Sequence, residues 1–187
     1  KVEEYLGYTV DELRPMPELA VDDHLGWQQQ VDGKWFYGIY IENGRVRDSD
    51  DRRIRSGLRT LVQRYQPGVY ITPQQNILLS GFTTEQKAEV EQLLADYGIV
   101  PVEQLALVRR HSLACPALPS CGLAVAEAER FLPNVIDQLE KDVADLGLSD
   151  EFFTVRMTGC PNGCARPYVA DIGMVGRTLG KYTLYLG

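Results

Sequence analysis

The sequence predicts an α+β fold, in which helices pack on mixed or antiparallel sheet layers. Three observations predict it. The hydrophobic period switches along the chain between strand-like runs and the 3.6-residue repeat of a helix. A two-residue hairpin signal follows the first strand-like run, which favours antiparallel pairing over a doubly wound parallel sheet. The chain has 187 residues, 44% of them hydrophobic, enough for a real core and for one ordinary domain or two small ones.

In chain order, Lys1-Val2-Glu3-Glu4-Tyr5-Leu6 reads as a short helix. Arg14-Pro15-Met16-Pro17 reads as a linker, because proline blocks helix continuation and biases the preceding residue toward extended backbone. Residues 34–41 are aromatic and β-branched and read as a strand. Asn43-Gly44, the strongest short hairpin signal, follows them, with Arg45-Val46 behind it. From 52 to 65 the period changes: Ile54, Leu58, Leu61, Val62 and Tyr65 share one helical face, with arginines opposite. Pro67-Gly68 ends that helix, and strands are predicted at 69–72 and 76–80. A second helix is predicted from Thr83, with Gln86 completing a capping box, to Tyr97, with Gly98 just past its end.

After Pro101 the texture changes. Two cysteine-bearing loops flank a helical stretch predicted over 123–146, interrupted at Pro133, which opens a second helix in its first turn. Strands are predicted at 152–157, 169–175 and 182–186. A boundary near residue 100 therefore separates an α+β unit from a cysteine-containing one, and no internal repeat is evident. The chain starts without Met in a helical stretch and stops on a strand-like run, so we expect it to be an excerpt of a longer protein.

The net charge of −7 argues against a general nucleic-acid binder, since there is no basic surplus to neutralise phosphates. The longest apolar runs, such as Leu105-Ala106-Leu107-Val108, fall far short of the roughly 20 residues a membrane span needs. No basic segment followed by an apolar one opens the chain, so secretion has no support and a cytoplasmic location is expected.

All four cysteines lie in the second unit, as Cys115-x5-Cys121 and Cys160-x3-Cys164. Disulfides would suit a small secreted scaffold, which this chain does not resemble. A zinc site usually shows tighter knuckles than the five-residue gap. Four thiolates on Pro- and Gly-bearing loops suit an iron–sulfur cluster, because each iron of a cubane takes one protein sulfur. Chance core cysteines are the bland reading, but they seldom all fall in loops shaped by Pro and Gly. Spacing and context favour the cluster. Gly159 and Gly163 allow positive φ and close backbone approach, so peptide N–H groups can point at sulfur, while Pro116, Pro119 and Pro161 stiffen the loops.

Arg156-Met-Thr-Gly-Cys160-Pro-Asn-Gly-Cys164-Ala-Arg-Pro, together with Ala114-Cys115-Pro-Ala-Leu-Pro-Ser-Cys121-Gly-Leu-Ala, resembles the sirohaem and 4Fe–4S signature of assimilatory sulfite reductases. The likeness runs on through Ala126-Glu-Ala-Glu-Arg-Phe-Leu-Pro133, and covers Leu25-Gly-Trp27, Asp32 to Gly38 and Ile71-Thr-Pro-Gln-Gln-Asn76. Essentially the whole chain is similar to part of the C-terminal half of that haemoprotein. Nitrite reductases of the same superfamily share the cysteine spacing, but the flanks look more like the sulfite enzymes.

The resemblance implies a linker over 1–22, a ferredoxin-like half-domain over 23–100, and a C-terminally truncated α/β iron–sulfur domain over 101–187. It implies six-electron reduction of sulfite to sulfide at sirohaem iron. By motif position Cys115, Cys121, Cys160 and Cys164 are the cluster ligands, and Cys164 bridges to the sirohaem iron. Asn162 and Gln75 are carried as sirohaem contacts, while Thr72 and Asn76 read better as strand-end turn residues. In the family the Arg and Lys residues that bind sulfite come from the N-terminal half, so that half is an expected partner and the excerpt alone is expected to be inactive. The 25–33 segment looks more like enzymes fed by ferredoxin than by a flavoprotein, and a plant source would place the chain in the plastid stroma. The basic stretch 45–64 holds seven Arg against Asp48, Asp50 and Asp51. A solvated helix face explains it better than docking to sirohaem carboxylates or an acidic ferredoxin. His24 and His111 lack metal-ligand spacing and read as structural or surface groups. The competing functional readings are a ferredoxin-dependent nitrite reductase and a cluster-binding electron carrier without substrate chemistry.

Overall fold

In the computed structural model, which describes residues 1–10, 23–49 and 51–187, the chain builds two four-stranded sheets in succession. Helix α1 (Val2–Leu6) forms where the sequence placed it. The linker read at Arg14-Pro15-Met16-Pro17 and the acidic Asp50 lie outside the described residues.

The first sheet has the order β1-β2-β4-β3, from strands β1 (Gly26–Gln29), β2 (Trp35–Ile39), β3 (Gly68–Ile71) and β4 (Ile77–Phe82), every pair antiparallel. Helices α2 (Ile54–Tyr65) and α3 (Lys87–Asp96) pack against it. Leu58 and Leu61 of α2 and Val90, Leu93 and Leu94 of α3 join Tyr37, Ile39, Leu79 and Phe82 in one buried cluster. Each such side chain contributes about 1.5–3 kcal/mol when fully buried. Arg55 and Arg59 stay on the exposed side of α2, as the periodicity requires.

Three expectations are corrected in this half. Asn43 and Gly44 do adopt the left-handed backbone a type I′ hairpin needs (φ 49° and 71°), but no hairpin forms there. Both edges of β2 are already taken by β1 and β4, so Glu42–Gly44 makes a 3₁₀ turn and leads the chain away. Strand β1 escaped notice because Gly-Trp-Gln-Gln is short and carries no alternation. Helix α3 starts at Lys87, later than Thr83, although half of the capping box forms: the Thr83 N–H donates to Gln86 Oε1 at 2.9 Å.

The second sheet runs β5-β6-β7-β8, from strands β5 (Ser112–Ala114), β6 (Val155–Thr158), β7 (Ile172–Thr178) and β8 (Lys181–Leu186). The first three are parallel and the last is antiparallel to β7. A short helix α4 (Leu107–Arg110) precedes it. Helix α5 (Leu132–Asp145) makes the crossover from β5 to β6, burying Leu132, Ile136 and Val143 in the cluster that holds Leu113, Val155 and Met157. Parallel neighbours need such a long connection. Pro133 sits in the first turn of α5, but residues 123–131 are not helical. The Val125, Ala126 and Glu129 N–H groups bond to carbonyls of the cysteine loops instead of to a helical ladder.

Polar contacts tie the two sheets together. Arg109 reaches Glu42 at 3.0 Å from one half and Glu140 at 2.6 Å and Asp137 from the other. Arg110 pairs with buried Asp23, and Arg45 pairs with Glu129, whose carbonyl also accepts from Asn43 Nδ2 at 2.9 Å.

Candidate metal centre

Strands β5 and β6 are parallel with Ala114 opposite Met157, so their carboxyl ends leave the sheet side by side. Cys115 follows one and Gly159-Cys160 the other. This is the end of a parallel sheet where ligands gather, because the loops that leave it converge there. The Cys115 N–H donates to Met157 O at 3.1 Å, extending the pairing by one residue into the loop.

Gly159 fastens the two loops. Its N–H donates to Cys115 Sγ at 3.3 Å. Its carbonyl accepts from the Val125 and Ala126 N–H groups at 2.9 and 3.0 Å, while the Ala126 carbonyl accepts from Leu118 at 3.3 Å. These bonds hold 123–131 out of a helix. A Cβ on Gly159 would lie 2.5 Å from both Ala117 Cβ and Ala126 O, so glycine is required here by close approach. The expected positive φ is found only at Gly163 (70°). There the Arg166 N–H donates to Gly163 O at 2.7 Å, and the Tyr168 hydroxyl donates to Pro161 O at 2.8 Å, closing the Cys160–Cys164 loop.

All four cysteines are free thiols: Cys115 and Cys160 are buried, Cys121 is half-buried and Cys164 is exposed. Burial pushes the Cys115 thiol up; the Gly159 and Ala117 N–H groups pull it down, and negative charge on Cys164 and Cys160 raises it again. The Cys160 and Cys164 sulfurs of one loop thus lie within electrostatic reach of Cys115 in the other. As thiolates they would repel, and a soft cation between them removes that penalty. Among the described residues no three Cys, His, Asp or Glu side chains converge on a single ion. A cluster asks for less, since each iron takes its own sulfur. The donor set and the amide aimed at sulfur fit an iron–sulfur cluster.

Gln75 sits in the turn between β3 and β4 with φ 65°, and its Nε2 donates to Ala114 O at 2.9 Å, directly before Cys115. Its Oε1 is buried without a partner. Arg166, just past Cys164, donates to Pro73 O at 3.1 Å, so this one turn reaches both cysteine loops. Asn162 is exposed at the tip of its loop. Thr72 and Asn76 close the turn, Thr72 Oγ1 accepting from the Asn76 N–H at 3.1 Å and Asn76 Oδ1 from the Ile41 N–H at 3.0 Å. His24 and His111 stack edge-on against Phe36 and Phe152. In the basic stretch, Arg45, Arg55 and Arg64 pair with Glu129, Asp48 and Glu89, and Arg53 lies over the Tyr97 ring. Sequence reasoning missed Glu129, whose N–H donates to Cys115 O at 3.1 Å. A carboxylate one turn before a helix gave no signal of that contact.

Comparison with known proteins adds the following. Residues 28–97 match the Nitrite/Sulfite reductase ferredoxin-like half domain. Over all 187 residues the chain is 45% identical to the "Sulfite reductase [NADPH] hemoprotein beta-component" of Geobacillus thermodenitrificans (strain NG80-2), covering 33% of it. It is 42% identical over 186 residues to the "Sulfite reductase [ferredoxin]" of Synechococcus elongatus, covering 30% of it. The solved structure of the Mycobacterium tuberculosis NirA protein superposes on 98% of the chain with a TM-score of 0.76 and 26% identity, the match covering 34% of that protein. The chain therefore spans about a third of the length of the curated relatives it matches.

Proposed function

We propose that this chain, a member of the nitrite/sulfite reductase superfamily, is the cluster-bearing part of a sulfite reductase haemoprotein. One observation carries the reading: Gly159 joins the Cys115 loop to the Cys160 loop through an N–H to Cys115 Sγ and a doubly accepting carbonyl. That staple joins the two loops that carry the cysteine pairs at the carboxyl ends of β5 and β6.

In this reading Cys115, Cys121, Cys160 and Cys164 would each hold one iron of a 4Fe–4S cluster, and Cys164, the exposed one, would also hold sirohaem. Together the two groups would relay to sulfite, one at a time, the six electrons that an external donor provides for its reduction to sulfide. The chain's own residues hold and screen that centre. The Gly159 N–H stabilises negative charge on Cys115, as hydrogen bonds to cluster sulfur do. Gln75 positions the Cys115 loop through Ala114 O, and Asn162 and the free Oε1 of Gln75 are the polar groups left for sirohaem. The remaining polypeptide supplies the cationic groups that bind sulfite, and a ferredoxin or a flavoprotein supplies electrons in the cytoplasm. Among the described residues no helix is long and apolar enough to cross a membrane.

Exchange of each cysteine for serine in the complete protein tests the reading, with iron content, sirohaem bands and sulfite turnover measured together. Cys164→Ser is expected to lose the sirohaem ligation spectrum and turnover, while Cys115→Ser loses iron first. If the two variants behave alike and sirohaem ligation survives both, Cys164 is merely a fourth cluster ligand. The 187-residue chain alone is expected to make no sulfide with a strong one-electron donor, and sulfide formation by it would overturn the division of labour proposed.

A further inference from the structure

Arg156 lies on β6, four residues before Cys160, and has no part in the centre described above. It is half-buried, and its Nη1 is shut off from solvent with no hydrogen-bond acceptor. Among the described residues, the carboxylates of Asp23 and Asp171 beside it are already engaged. Asp23 accepts from Arg110 Nε at 2.8 Å and from the Leu25 N–H at 3.1 Å. Asp171 accepts from the Thr154 N–H and hydroxyl at 2.7 and 2.8 Å. Burial and the neighbouring Arg166 both work against the Arg156 charge, with Asp171 the one group favouring it.

Beside Arg156 is a cavity of about 50 Å³, also lined by Gln74, Arg110, His111, Ser112 and Thr154. Leu113 and Phe152 complete its wall, which is more apolar than polar; the Ser112 and Thr154 hydroxyls already donate to Arg109 O and Asp171, so the polar groups it offers are those of Arg156, His111 and Gln74. Asp23 lines it too, but its charge is matched by Arg110. A single water needs roughly 10–15 Å³ of such space, so the cavity has room for a small ion together with a few waters. Water alone would satisfy the orphan N–H, whereas an anion would also offset the repulsion that Arg166 exerts on the half-buried guanidinium.

We infer that the cavity between Arg156, His111 and Gln74 binds one small free monoanion, of the size of chloride or formate, which completes the hydrogen bonding of the Arg156 guanidinium. The site is independent of the cysteine loops and of the reaction proposed for them. Its role is to hold the start of β6, and the turn carrying Gln74 beside it, in place.

Thermal unfolding of the 187-residue chain tests this, with chloride or formate titrated against gluconate at constant ionic strength. Chloride and formate are expected to raise the midpoint saturably, by about 3 °C once the site is well filled, while gluconate, too large to enter, does not. Arg156→Gln removes the difference, and Arg156→Lys, which keeps the charge on a shorter donor, weakens the apparent affinity by about tenfold. Should Arg156→Gln fail to fold, excess ³⁵Cl line broadening on the unaltered chain, displaced by formate and not by gluconate, gives the same answer. Midpoints that follow ionic strength alone, with no displaceable chloride signal, overturn the inference. Destabilisation by Arg156→Gln without any anion dependence also overturns it, since the partner is then a carboxylate of the polypeptide.

Discussion

Replacing Gly159 by alanine should unfasten the cysteine loops. The new Cβ would lie 2.5 Å from Ala117 Cβ, 2.5 Å from Ala126 O and 3.2 Å from Ala124 Cβ. Ala126 O is backbone, and it cannot retreat without disturbing the bonds that Val125 and Ala126 make to Gly159 O. Overpacking of this kind costs about 1–3 kcal/mol. Two weakened hydrogen bonds add about 0.5–1.5 kcal/mol each, bringing the total to roughly 2–6 kcal/mol. At about 2–4 °C per kcal/mol for a chain of this size, the unfolding midpoint should fall by on the order of 10 °C. The assay is thermal unfolding followed by circular dichroism, paired with iron uptake on anaerobic reconstitution. Uptake should fall further than the midpoint predicts, because the amide aimed at Cys115 Sγ moves with the clash. A Gly159→Ala chain that melts within about 2 °C of the parent and takes up iron normally would refute the reasoning.

The other expectations concern thiols, protons and glycine contacts. Without metal, Cys164 should react first with a thiol reagent and Cys115 last, since one is exposed and the other buried with its thiol pushed up; equal labelling rates would contradict the arrangement. His111 is held below its usual pKa of about 6.5 by burial, with Arg110 and Arg156 also lowering it and Asp23 raising it. The unfolded chain therefore binds a proton that the folded chain resists, so stability should fall as pH drops through about 6.5. His111→Gln should flatten that slope in urea titrations at stepped pH, and an unchanged slope would assign it to other groups. Gly38→Ala places a Cβ 1.8 Å from His24 O, so the β1–β2 pair must open. Loss of the folded chain is expected, and a native midpoint would show that the strand shifts freely.

Long periodic stretches were legible in the sequence and short ones were not. Helix α2 announced itself by Ile54, Leu58 and Leu61 because an amphipathic face is a local property. Strands β1 and β5 exist only because neighbours pair with them; Ser112–Ala114 is three residues held by register with β6. The failed helix over 123–131 has the same cause. Its N–H groups are captured by Gly159 and Cys115, carbonyls distant in sequence that no window centred on Ala126 contains. The metal centre divides similarly. The cysteines stood out by spacing, and Gly159 was singled out for positive φ and close backbone approach, of which only the close approach is found. Arg156 was quoted within the cysteine motif without weight, since nothing in a sequence says that an arginine lacks a partner.

The centre is split across the crossover helix, and this gives it a schedule. Cys115 and Cys121 precede α5, and Cys160 and Cys164 follow it. The separation from first to last is roughly fifty residues, so a ribosome adding about 5–20 residues per second leaves the first pair waiting several seconds for the second. During that interval Gly159 has not yet been made, and Cys115 Sγ lacks the amide that later shelters it. The nascent chain thus carries two bare thiols through the window in which oxidants and stray metals compete for them. Under the proposed function iron would have to be delivered after β6 docks beside β5, because the staple between the loops does not exist earlier.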